Sequence, residues 1–119
     1  MASPQDSLPL SGIRVLEFAH AILGPSAGMI LADMGAEVLH IEPPKGDMTR
    51  RLKGSGIGYF PSFSRNKKSI AINAKEDAGK DIVFKLVETA DVVIENFAPG
   101  TMDRLGYTYE KFSEINPNI

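Results

Sequence analysis

Apolar and polar positions along the chain form two successive blocks, each reading as strand, helix and second strand. In the first, residues 13–18 carry a buried pattern at Val15, Leu16 and Phe18. Gly24-Pro25 then puts a proline in the first turn of a helix, Ala27, Ile30, Leu31 and Met34 mark its apolar face, and Gly35 supplies a left-handed stop. Residues 37–42, EVLHIE, return as a strand that Pro43-Pro44 forbids to continue. In the second block, residues 69–73 are a short strand. Residues 78–90 space Ile82, Val83, Leu86, Val87 and Ala90 as a helix, and 91–95 form a strand again. Two right-handed βαβ units predict an α/β, Rossmann-like fold, a mostly parallel open sheet with helices on both faces.

Between the blocks, residues 43–68 show no convincing periodicity, and a loop of that length in a compact domain is expected to be functional. After the second block, residues 101–105 make a helical turn ended by Gly106. Thr108 then caps a last helix with Tyr109, Phe112 and Ile115 inward, and Asn116-Pro117 ends it. Asn118-Ile119 is expected to begin a further strand.

In open parallel sheets ligands bind outside the carboxyl ends of the strands, which directs attention to His20, to Lys75 and to Asn96, Phe97, Ala98, Pro99 and Gly100. The chain has 119 residues, 43% of them hydrophobic, enough for one core and one domain. The net charge of −2 conceals an asymmetry, since residues 43–68 hold seven of the thirteen Lys and Arg residues and only one acid, Asp47. A basic loop on an acidic body predicts a local anion site rather than a nucleic-acid track. Arg50, Arg51, Lys53, Arg65, Lys67, Lys68, Lys75 and Arg104 are cations suited to a polyphosphate. There is no cysteine for a disulfide, thiolate ligand or nucleophile. No apolar run approaches a membrane span, no targeting signal is legible, and the expected location is the cytoplasm, with a mitochondrial source as the alternative.

Other motifs carry less. Gly54, Gly56 and Gly58 follow no strand and open no helix, so they do not make a dinucleotide turn. His20 and His40 lack ligand-spaced partners, so no metal site is expected, and His40 reads as a strand residue facing a polar neighbour. Ser26, His20 and Asp33 make no triad without a nucleophile elbow. Glu17, Glu42 and Glu95 lie within or at the ends of strands and offer no acid-base pair.

Five blocks in order over residues 8–119 carry a family resemblance: LSGIRVLEFAHAILGPSAGMILADMGAEVLHIEPP, GDMTR, SRNKKSIAIN, ADVVIENFAPGTMDRLGY and INPNI. The chain resembles the N-terminal part of a family III CoA-transferase, a family that includes carnitine CoA-transferases, formyl-CoA transferases and alpha-methylacyl-CoA racemases. The resemblance implies that residues 1–119 are the N-terminal part of a Rossmann-like CoA-binding domain. It implies CoA thioester and carboxylic acid substrates, and transfer through a mixed anhydride and an enzyme-bound thioester on an aspartate beyond the INP motif. No catalytic residue would then lie in this chain, which would look truncated and be inactive alone. A racemase of the same family and a non-catalytic CoA or nucleotide-binding module are the alternative readings. The family also implies an interlocked homodimer of the full-length protein, and neither nucleic-acid nor membrane partners.

By the same resemblance, the CoA contacts fall on His20, Ala21 and Ile22, on Ile72, Asn73, Ala74 and Lys75, on Asn96, Phe97 and Ala98, and on Arg104. Oxalate-using formyl-CoA transferases carry a Gln where Ile22 stands and an Arg where Pro43 stands, which speaks against oxalate specificity and transfers a phosphate contact to Arg50 or Arg65.

Overall fold

A computed structural model describes residues 8–119. Its elements run β1 (Arg14–Phe18), α1 (Leu23–Asp33), β2 (Glu37–Glu42), α2 (Tyr59–Phe63), β3 (Lys68–Ala71), α3 (Asp77–Val87), β4 (Val92–Glu95), α4 (Thr101–Leu105) and α5 (Tyr109–Ile115). The four strands are all parallel, in the order β3-β2-β1-β4. From β1 the chain winds outward through β2 to β3, then crosses back beneath α3 to pair β4 with the other side of β1. The order therefore reverses at β1 and β4, the place where an open α/β sheet leaves its crevice.

The two faces of the sheet differ in chemistry. One presents Leu16, Phe18 and Ile41 to Val83 and Val87 of α3, to Phe112 of α5 and to Tyr107 in an apolar core. The other has a smaller apolar cluster of Val15 and Val38 against Ala32 and Ala36, and beside it bury Glu17 and His40. Helices thus cover both faces, as the two-block pattern predicts.

Helix α1 docks mainly through a face other than the predicted one, of which Leu31 packs against the smaller cluster. Gly24, Pro25, Gly28 and Ala32 are buried, while Ile30 and Met34 are 54% and 39% exposed and Ala27 also faces outward. Small residues at every fourth position bring the helix backbone down onto the sheet, and a Cβ on Gly28 would lie 1.7 Å from Glu17 Oε2. Gly35 ends the helix at φ +104°, as expected.

The remaining differences are local. Strand β3 stops at Ala71, because the Ile72 amide takes the Glu42 carbonyl as the last ladder partner before Pro43-Pro44. Helix α3 ends at Val87 rather than Ala90, since Asn116 Nδ2 donates to the Val87 and Ala90 carbonyls and caps it. Ile82 and Tyr109, expected inside, are exposed. Residues 117–119 make a turn that packs Ile119 on the core, not a strand. Residues 43–67 contain two short 3₁₀ turns and α2. No described helix is long and apolar enough to cross a membrane.

Candidate functional site

A cleft of about 830 Å³ opens at the carboxyl ends of all four strands. Its floor is apolar, formed by Phe18, Ile41 and Ile72, and Leu105 of α4 adds a side wall. The turn after β1 contributes His20, whose ring stacks on Phe97 after β4 with centroids 5.3 Å apart. Asn96 joins these turns: its Oδ1 accepts from the His20 amide and its Nδ2 donates to the His20 carbonyl, both at 3.0 Å. Ala21 takes φ +62°, which turns the chain sharply from β1 into α1.

The third wall is residues 72–75. Tyr107 Oη donates to the Ala74 carbonyl at 2.7 Å, and burial pushes its phenol up to about 12, so it remains a donor across the neutral range. This bond anchors the segment that carries Asn73 and Lys75 into the cleft.

Cations divide into two groups. Arg50 forks onto both oxygens of Glu42 at 2.8 and 2.6 Å while its guanidinium lies 3.9 Å above the Phe60 ring. Arg65 pairs with Asp33, Lys67 with buried Glu17, and Lys68 with Glu37. Four of the loop's seven cations are therefore neutralised by acids of the first βαβ unit, and neither Arg50 nor Arg65 lines the cleft. The phosphate contact expected of them is corrected accordingly. Lys45, Arg51 and Lys75 do line it, and none of them has an acid partner among the described residues.

Of the residues expected at a site, His20, Ile72, Asn73, Ala74, Lys75 and Phe97 line the cleft together. Asn96 stands behind them as a brace, and Ala21, Ile22, Ala98 and Arg104 lie outside the lining; Arg104 donates to Thr101 Oγ1. Sequence reasoning missed Lys45, Gly46 and Met48, although their position directly after the carboxyl end of β2 is itself a signal. The cleft also meets the carboxylates of Glu42 and Asp47. Both are engaged: Glu42 by Arg50, Ser69 and the Asp47 amide, Asp47 by the amide and hydroxyl of Thr49.

Comparison with known proteins gives this arrangement a lineage. Residues 10–119 match the model of CoA-transferase family III. A formyl-CoA:oxalate CoA-transferase of Streptomyces coelicolor is 45% identical over 114 residues, covering 92% of this chain and 28% of that protein. One from Escherichia coli is 42% identical over 118 residues, covering 95% of this chain and 28% of the relative. Among solved structures, Rv3272 of Mycobacterium tuberculosis superposes with a TM-score of 0.90 at 40% identity, over 95% of this chain and 31% of that one. A CAIB/BAIF family protein of Brucella suis gives 0.82 at 39% identity, over 92% and 31%. The chain thus spans less than a third of the length of these relatives. By sequence and by fold it belongs to CoA-transferase family III.

Proposed function

We propose that this chain supplies the CoA-binding part of an enzyme that moves CoA between carboxylic acids. The observation that carries this reading is the cleft at the strand ends, apolar in its floor and bearing Lys45, Arg51 and Lys75 without acid partners, in a chain of this family. Phosphates require cations that are not already neutralised, and a fork such as Arg51 suits them. The apolar floor and the His20–Phe97 stack suit the adenine and the pantetheine arm, which lose water on entry.

The acyl-transfer step needs a carboxylate free to attack. In the described cleft, Glu42 and Asp47 are held by their own hydrogen-bond partners, which supports placing the nucleophile in another part of the enzyme. The contribution of these residues is to bind and orient CoA. Ile22 and Pro43 bring no polar group toward a small diacid, and the substrate class is accordingly a CoA thioester with a carboxylic acid acceptor.

Calorimetric titration of the protein with CoA tests the reading. Binding is expected to weaken as salt rises and about tenfold in Lys75→Ala, since one phosphate contact is lost. Adenosine, which has the base but no phosphate, is expected to bind far more weakly. Equal affinity for CoA and adenosine would refute the phosphate site.

A further inference from the structure

The polar face of the sheet buries a charge network that the CoA reading does not use. Glu17 is 0% exposed and His40 3%, the side chain of Lys67 is 2% exposed, and Asp47 is 5% exposed. His40 stands between two carboxylates: Nδ1 is 2.8 Å from Glu17 Oε1 on β1, and Nε2 is 3.2 Å from Asp47 Oδ2. The second oxygen of Glu17 accepts from Lys67 at 2.7 Å, and Lys67 also donates to the Pro25 carbonyl in α1. Every buried polar side-chain atom among the described residues has a partner, so the network is closed.

Its reach toward the cleft runs through Asp47 alone. Asp47 caps the first 3₁₀ turn of the loop by accepting from the Thr49 amide at 2.7 Å, and that turn carries Met48 and Arg51 into the cleft wall. Its own amide donates to Glu42 Oε2 at 2.6 Å. His40 is thus the side chain that ties the carboxylate of this cap to the interior of the sheet, beside Glu42 on the same strand, which holds the Asp47 amide and Arg50. A plain apolar residue on β2 would fill the same space without gripping the loop.

We propose that His40 is a positioning residue: by bridging Glu17 and Asp47 it fixes the 45–51 segment, and with it Lys45 and Arg51, at the cleft. The proposal rests on CoA occupying that cleft. Its chemistry is that of a ring whose two nitrogens stand within hydrogen-bond distance of two buried carboxylates, so another residue that can donate at this place should substitute for it.

The test compares His40→Leu, which removes the donor, with His40→Lys, which keeps one, and with Val38→Ala, a destabilising change on the same strand and face. Two readouts are taken on the full chain: tryptic cutting after the exposed Lys45, Arg50 and Arg51 without ligand, and affinity for CoA. His40→Leu is expected to speed loop cutting and weaken CoA binding, each about tenfold. His40→Lys should stay within about threefold of the parent in both, and Val38→Ala should leave both unchanged well below its melting temperature. If His40→Leu does not fold, Asp47→Asn, which keeps an acceptor for Thr49, replaces it in the cutting assay. Unchanged cutting, or equal loosening by Val38→Ala, overturns the proposal. Failure of the parent to bind CoA while His40→Leu still loosens the loop overturns the CoA reading and leaves the strap standing.

Discussion

Glu42 shows how one side chain serves both the sheet and the loop. The Arg50 guanidinium, donating to both its oxygens, holds its carboxyl at about 2 instead of 4.5, against the upward push of burial. A carboxyl depressed in this way stabilises the fold fully above its unfolded value, and the contribution is lost as pH falls through the folded one. Acid should therefore cost the protein on the order of 2 kcal/mol between pH 4.5 and about 2. Urea unfolding at a series of pH values checks this, and Glu42→Gln should flatten that part of the curve. Gly28 is a second residue-scale constraint, because a Cβ there would also lie 3.1 Å from Lys67 Nζ. Gly28→Ala must push the Glu17–Lys67 pair apart, and a loss of about 3 kcal/mol or more is expected in the same denaturation measurement.

At the scale of elements, the turns after β1 and β4 are held to each other rather than to the sheet. Asn96 makes both hydrogen bonds between them, and the His20–Phe97 stack lies on top. Asn96→Ala removes one donor and one acceptor that match the His20 backbone, for a loss of about 1–3 kcal/mol. Asn96→Asp keeps the acceptor and should fall between it and the parent. Denaturant midpoints of the three proteins decide the matter, and identical midpoints would show that the stack alone holds the turns. The same elements explain why the site was partly legible. His20, Lys75 and Phe97 follow strands whose periodicity was plain, so the rule that ligands sit at strand ends found them. Arg104 came from its charge and from the resemblance, not from a strand end, and in the fold it turns to Thr101.

For the whole molecule, β3 and β4 bound the sheet, and Val92 on β4 is 37% exposed. Leu23 and Ile57 add further apolar surface, at 78% and 70% exposure. An edge strand of this kind invites pairing with another chain. The 119-residue chain alone is expected to show light scattering that rises with concentration, and Val92→Lys, which places a charge at that edge, should reduce it. Scattering of a monomer at every concentration would show that the edge is adequately protected as it stands.

The order of elements, the parallel sheet and the place of the cleft at its carboxyl end follow from the sequence, because periodicity and Gly and Pro punctuation are local properties. Family membership follows as well, since the blocks that carry it are contiguous. What only the tertiary structure decided is the pairing of charges. Residues 43–68 carry a surplus of positive charge in sequence, yet Arg50, Arg65, Lys67 and Lys68 find Glu42, Asp33, Glu17 and Glu37 across separations of 8 to 50 residues. The docking face of α1 escaped for a related reason. Helical periodicity ranks residues by apolarity, whereas the sheet beneath carries Glu17 and His40 and selects the small residues that let the backbone approach. Local pattern specifies which elements form, and the partners that chain folding brings together determine which of their charges remain free for a ligand.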